Sequence, residues 1–122
     1  MTEPSAPTFD AAVLAAVRDS VDGDEAFVLD LVETYLADGA EQIEAITAAA
    51  GAGDAGALVR PAHSLKSSSF TVGAMRLGEL ARSLEQHGRS GAMDDAAAEA
   101  AASRAEWTAV RAALRAWMAT AR

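Results

Sequence analysis

Apolar residues recur every three or four positions along most of this chain, the period of one helix face, and nowhere alternate long enough to predict a strand. Phe9, Val13, Leu14 and Val17 share a side and predict a short helix over about 9–20. "VDGDE" breaks it and offers Asp22 or Asp24 as the N-cap of a second helix, about 24–50. That helix is striped by Val28, Leu31, Val32, Tyr35, Leu36, Ile43 and Ile46. Gly39 weakens its middle by about 1 kcal/mol against alanine, too little to end it. "GAGD" reads as a turn, with Asp54 capping a third helix over about 55–70. Gly73 opens a fourth, about 73–88, with Leu77, Leu80, Ala81 and Leu84 in line and Gly88 as its C′ residue. Trp107, Val110, Leu114 and Trp117 stripe a fifth over about 94–119. Residues 1–8, with two prolines, read as a loose tail. Short turns make consecutive helices antiparallel. The expectation is one all-α domain over 9–122, an up-down-up-down four-helix bundle with a short extra N-terminal helix across one end.

Composition narrows the function classes. The chain has 122 residues, enough for one continuous core. Alanine, the best helix former, makes up about a quarter of it. With no cysteine there is no disulfide framework or thiolate metal site. A net charge of -8 argues against nucleic acid and against anionic membranes. No stretch approaches the roughly 20 apolar residues of a membrane span, and "MTEPSAPTFD" has no signal-peptide pattern. A soluble cytoplasmic monomer is the expectation.

Candidate chemistry centres on one of only two histidines. On a helical wheel at about 100° per residue, Leu58, Leu65, Ser69 and Val72 fall opposite His63. The ring therefore points away from the core, which leaves open a solvated surface histidine or a functional one. Its neighbours favour function. Lys66 lies three residues on and Arg60 three residues back, a positive spot on an acidic chain. Ser67, one turn on, leaves the imidazole approachable, while Val59 and Phe70 read as apolar residues on a solvent face, as a docking surface would have. Together they fit a nucleophilic imidazole, charge compensation for an arriving phosphoryl group, and room for a partner. His87, in the last turn of its helix, reads as structural. Neither a metal-ligand cluster nor a phosphate-cradling glycine loop stands out, so no phosphorylation from ATP is expected.

The stretch "AHSLKSSSFTVGAMRLGELARSLE", residues 62–85, resembles the signature of histidine-containing phosphotransfer (HPt) domains, and the resemblance extends over about 24–88. It implies that His63 is phosphorylated, that Lys66 neutralises charge and that Glu85 hydrogen-bonds the imidazole. Read without it, Lys66 could be an ordinary surface lysine and Glu85 an exposed helix carboxylate. The family fold, a four-helix bundle with an extra N-terminal helix, agrees with the periodicity. Three departures stand out: Ser67 where the family often has glycine, Ala81 where cysteine is frequent, and Pro61, which removes one helix hydrogen bond and predicts a kink.

The implied function is a phosphorelay shuttle between receiver-domain aspartates. Its partners would be response-regulator receivers and a hybrid histidine kinase, with Mg²⁺ on the receiver and no cofactor here. Phe9, Val13, Phe27 and Leu31 would extend the docking patch around Phe70, with Ser67, Val59 and Arg60 beside the histidine. The alternatives are a non-catalytic helical adaptor and an HPt module of a larger kinase.

Overall fold

The computed structural model describes residues 6–121 and contains five α-helices, with no strand among the described residues. They are α1 (Ala11–Ser20), α2 (Glu25–Gly51), α3 (Ala55–Val72), α4 (Met75–Ser90) and α5 (Ala96–Ala121). Aspartates start three of them. Asp10 accepts from the Ala12 N–H, Asp24 from Phe27 and Asp54 from Ala57, each satisfying a first-turn donor the helix leaves unpaired. Asp24, not Asp22, is the cap of α2. Residues 1–5 of the expected tail lie outside the described residues. Of the rest, the Pro7 carbonyl accepts from Arg76 N–H at 3.0 Å and so ties this segment to the first turn of α4.

Two glycine assignments need correction. Gly73 does not open α4. It closes α3 at φ +92°, a left-handed conformation that glycine adopts without penalty, and a Cβ there would stand 2.5 Å from the Asp10 carbonyl oxygen. Gly88 does not close α4 either. It lies inside that helix, and Gly91 (φ +78°) is the left-handed cap, donating to the His87 carbonyl at 2.9 Å. Gly88 is used for approach: a Cβ there would stand 2.8 Å from Val59 Cγ2 and 3.0 Å from the Ala55 carbonyl.

Helices α2, α3, α4 and α5 pack in a closed ring, each against the next and α5 against α2, while α1 rests on α2 and α3. The shared interior holds Val28, Val32, Ile43 and Ile46 of α2, Leu58 and Leu65 of α3, Leu77 and Leu84 of α4, and Val110 and Leu114 of α5. Each such side chain adds roughly 1.5–3 kcal/mol on burial. Gly39 seats the Trp107 indole, whose Cη2 would lie 2.5 Å from a Cβ at that position. Trp107 in turn meets Tyr35 edge-on, centroids 5.5 Å apart. The buried Tyr35 hydroxyl is satisfied by Ser69 Oγ at 2.7 Å. Burial raises the Tyr35 pKa well above the usual range, so the phenol stays protonated.

Candidate functional site

Helix α3 runs continuously through Pro61 and buries Leu58, Ala62, Leu65, Ser69 and Val72. His63 is left on the other face, its side chain 54% exposed. What the ring meets is set by α4. Gly78 and Gly88 let that helix close on α3, the first under the Phe70 ring and the second under Val59. Between them Glu85 points inward, its side chain only 7% exposed.

A buried carboxylate is costly unless it is paired, and Glu85 is paired on both oxygens. Oε2 lies 3.0 Å from His63 Nδ1 and also accepts from Arg89 Nε at 2.9 Å and Nη2 at 2.7 Å. Oε1 lies 2.7 Å from Lys66 Nζ. The Lys66 hydrogen bond is the largest influence on Glu85 and lowers its pKa from 4.5 to about 2; burial opposes it, and the bonds from Arg89 and His63 add to it. An ionised carboxylate only accepts, so His63 Nδ1 carries the proton and donates it. The neutral ring then has its lone pair on Nε2. Sequence reasoning left Glu85 between an exposed carboxylate and an imidazole partner; the geometry is the second.

On its α2 side the ring borders a groove lined by Leu31, Thr34, Asp38 and Gln42 across from Ser64 and Ser67. Small hydroxyl side chains at 64, 67 and 68 leave the approach open. Arg60 is exposed and lies beside Asp38 and Glu41 in an adjoining depression. Of the apolar residues expected around the site, Phe27 is free, 48% exposed at the start of α2. Leu31 is half-buried and lines the groove, Phe9 packs on the core, and Val13 is half-buried beside Gly73.

Val59 and Phe70 do not stand bare on a solvent face. Both are half-buried against α4, Val59 over Gly88 and Phe70 over Gly78, and the Arg82 guanidinium lies 5.2 Å from the Phe70 ring centroid. The wheel located the contact of α3 with the shared core but not its second contact, which two glycines on another helix create. Arg89 was missed altogether. Its spacing of four from Glu85 is the usual helix ion-pair spacing and was the available signal. His87 stands apart from this cluster, Nε2 3.3 Å from Glu99 Oε2 on α5.

Comparison with known proteins places the whole chain. No curated protein sequence matches the chain. Among solved structures, histidine-containing phosphotransfer protein B (HptB) from Pseudomonas aeruginosa PAO1 is similar at 32% identity and a TM-score of 0.85. The match covers 97% of this chain and 100% of that one. Residues 30–117, which hold His63, Lys66 and Glu85 together, match the Hpt domain, and the chain therefore belongs to the Hpt domain family.

Proposed function

We propose that His63 is the phosphoryl-carrying residue of a phosphorelay, accepting from the aspartyl phosphate of one receiver domain and delivering to the aspartate of another. The observation that carries this is the 3.0 Å contact of His63 Nδ1 with ionised Glu85 on an otherwise exposed ring. It fixes the tautomer whose free nitrogen, Nε2, faces outward. The Nε2 lone pair attacks phosphorus, the bond from phosphorus to the aspartate oxygen breaks, and the carboxylate leaves with the electron pair. The ring keeps its Nδ1 proton and becomes cationic, and the Glu85 carboxylate offsets that charge. The second transfer reverses these bonds at a new aspartate.

Lys66 is engaged by Glu85, yet an ammonium has three donors and its side chain is 26% exposed, so it retains N–H groups for phosphoryl oxygens. Ser67 supplies clearance. Phe27 and Leu31 lead along α2 into the groove and form the apolar part of the receiver-docking face, with Arg60 at its edge meeting the acidic pocket of a receiver. The closed ring of contacts and the short turns between helices support an up-down-up-down bundle with α1 as the added helix. The reading is of one domain acting as a monomer on cytoplasmic receivers.

The test is transfer from phosphorylated receivers. The label should appear on His63, be labile in acid and stable in alkali, and vanish in His63→Gln. Label that persists in that variant, or that maps to His87, overturns the reading.

A further inference from the structure

Two cations share one buried carboxylate at this site, and the second of them has no part in the chemistry described above. Arg89 places both Nε and Nη2 on the same oxygen of Glu85 that faces His63 Nδ1. Its side chain is 60% exposed, so packing does not hold it there; the two hydrogen bonds do. A carboxylate beside an imidazole has two possible effects. It can accept from Nδ1–H and leave a neutral ring with Nε2 free, or it can stabilise the doubly protonated ring, which has no lone pair to attack phosphorus. The surrounding charge decides between them.

We propose that Arg89 is a positioning residue for His63, fixing Glu85 Oε2 against Nδ1 and, together with Lys66, cancelling enough carboxylate charge to keep the ring neutral and nucleophilic near pH 7. This rests on the phosphotransfer reading for its purpose but not for its test. Among the described residues, few charged groups surround the ring. Arg60 and Lys66 flank it on α3, Glu85 and Arg89 face it from α4, and Asp38 lies across the groove on α2. Glu85 stays ionised throughout the range in which a histidine titrates, its carboxyl being held near 2. Without Arg89, Lys66 alone balances Glu85, Asp38 remains, and the ring binds a second proton more readily. Oε2 also loses the two bonds that keep it from turning away from Nδ1.

Nitrogen NMR of the unphosphorylated protein between pH 5 and 8 reads both effects. In Arg89→Ala the midpoint for ring protonation of His63 should rise by about half a pH unit, since a unit positive charge bonded to the same carboxylate oxygen is removed in a water-like dielectric. The population protonated only at Nδ1 should fall. Arg89→Lys, which restores the charge but not the two-pronged geometry, should return the midpoint and leave the tautomer population reduced. The acid limb of receiver transfer should move with the midpoint, while rates above pH 8 change less. An unmoved or lowered midpoint in Arg89→Ala, or a tautomer population equal to wild type, overturns the proposal. If receivers never label His63, the phosphorelay reading falls and the NMR result still decides the role of Arg89.

Discussion

Replacing Glu85 by glutamine removes one negative charge from a side chain that is 7% exposed and bonded on both oxygens. Its carboxyl is held near 2 in the folded chain against an ordinary value of 4.5. The folded pKa is depressed, so this stabilisation is present above about pH 4.5 and is lost as pH falls toward 2. Taken whole, the shift corresponds to about 3 kcal/mol at neutral pH; Arg89 is largely exposed and screened by water, so about 2 kcal/mol is the better figure. More than half of it should be gone by about pH 3. The other carboxylates titrate alike in both proteins and cancel in the comparison. Urea unfolding followed by the fluorescence of buried Trp107 should therefore find wild type more stable than Glu85→Gln by about 2 kcal/mol at pH 7, and by less than about 1 kcal/mol at pH 3. A stability difference that stays constant across that range would refute the electrostatic account.

Three further substitutions probe the same region. Lys66→Ala should slow transfer from a phosphorylated receiver and cost about 1–3 kcal/mol of stability, because Oε1 of the buried Glu85 loses its partner while Arg89 and His63 still hold Oε2; unchanged transfer rates would reduce Lys66 to a structural partner of Glu85. Ser67→Gln should leave the melting temperature near wild type and block transfer by filling the exposed approach to the ring, an outcome checked by parallel melts and label-transfer assays. Gly78→Ala would put a Cβ 2.5 Å from the Phe70 ring, so it should destabilise by about 1–3 kcal/mol in urea unfolding; wild-type stability would mean that the ring moves aside freely.

Helix content was legible because amphipathic stripes and aspartate caps act locally. Val28, Val32, Ile43 and Ile46 lie in the core as their spacing requires, and Asp54 caps α3 where the turn "GAGD" ends. Glycine was misread because its meaning depends on what approaches it. Gly39 reads as a weak point in α2, yet it is the seat of Trp107 from α5. Gly88 reads as a terminator in the sequence and is a contact between α3 and α4. A missing side chain looks the same in a sequence whether it frees the backbone or admits a neighbour. Val59 and Phe70 read as residues of an open face for the same reason, since Gly88 and Gly78, which cover them, lack side chains of their own.

The identity of residue 85 carries a constraint that an uncharged residue would not. An amide there could bond the imidazole and require nothing more. A carboxylate with 7% exposure must be compensated, and it draws in Lys66 from α3 and Arg89 from its own helix. With the ring neutral, the cluster of His63, Lys66, Glu85 and Arg89 carries one net positive charge within a chain whose formal net charge is -8. At physiological salt the field of distant carboxylates is screened beyond about 8 Å, so under the proposed function an approaching phosphoryl group would respond chiefly to this cluster and to Arg60. On the proposed docking face, encounter with an acidic receiver would rest on contact at Phe27 and the groove rather than on long-range attraction. Raising the salt concentration should therefore leave receiver association unchanged or strengthen it, since it screens repulsion between two acidic proteins more than it weakens the short-range pairs. A steep loss of affinity with added salt would show that the positive cluster, not the apolar face, assembles the pair.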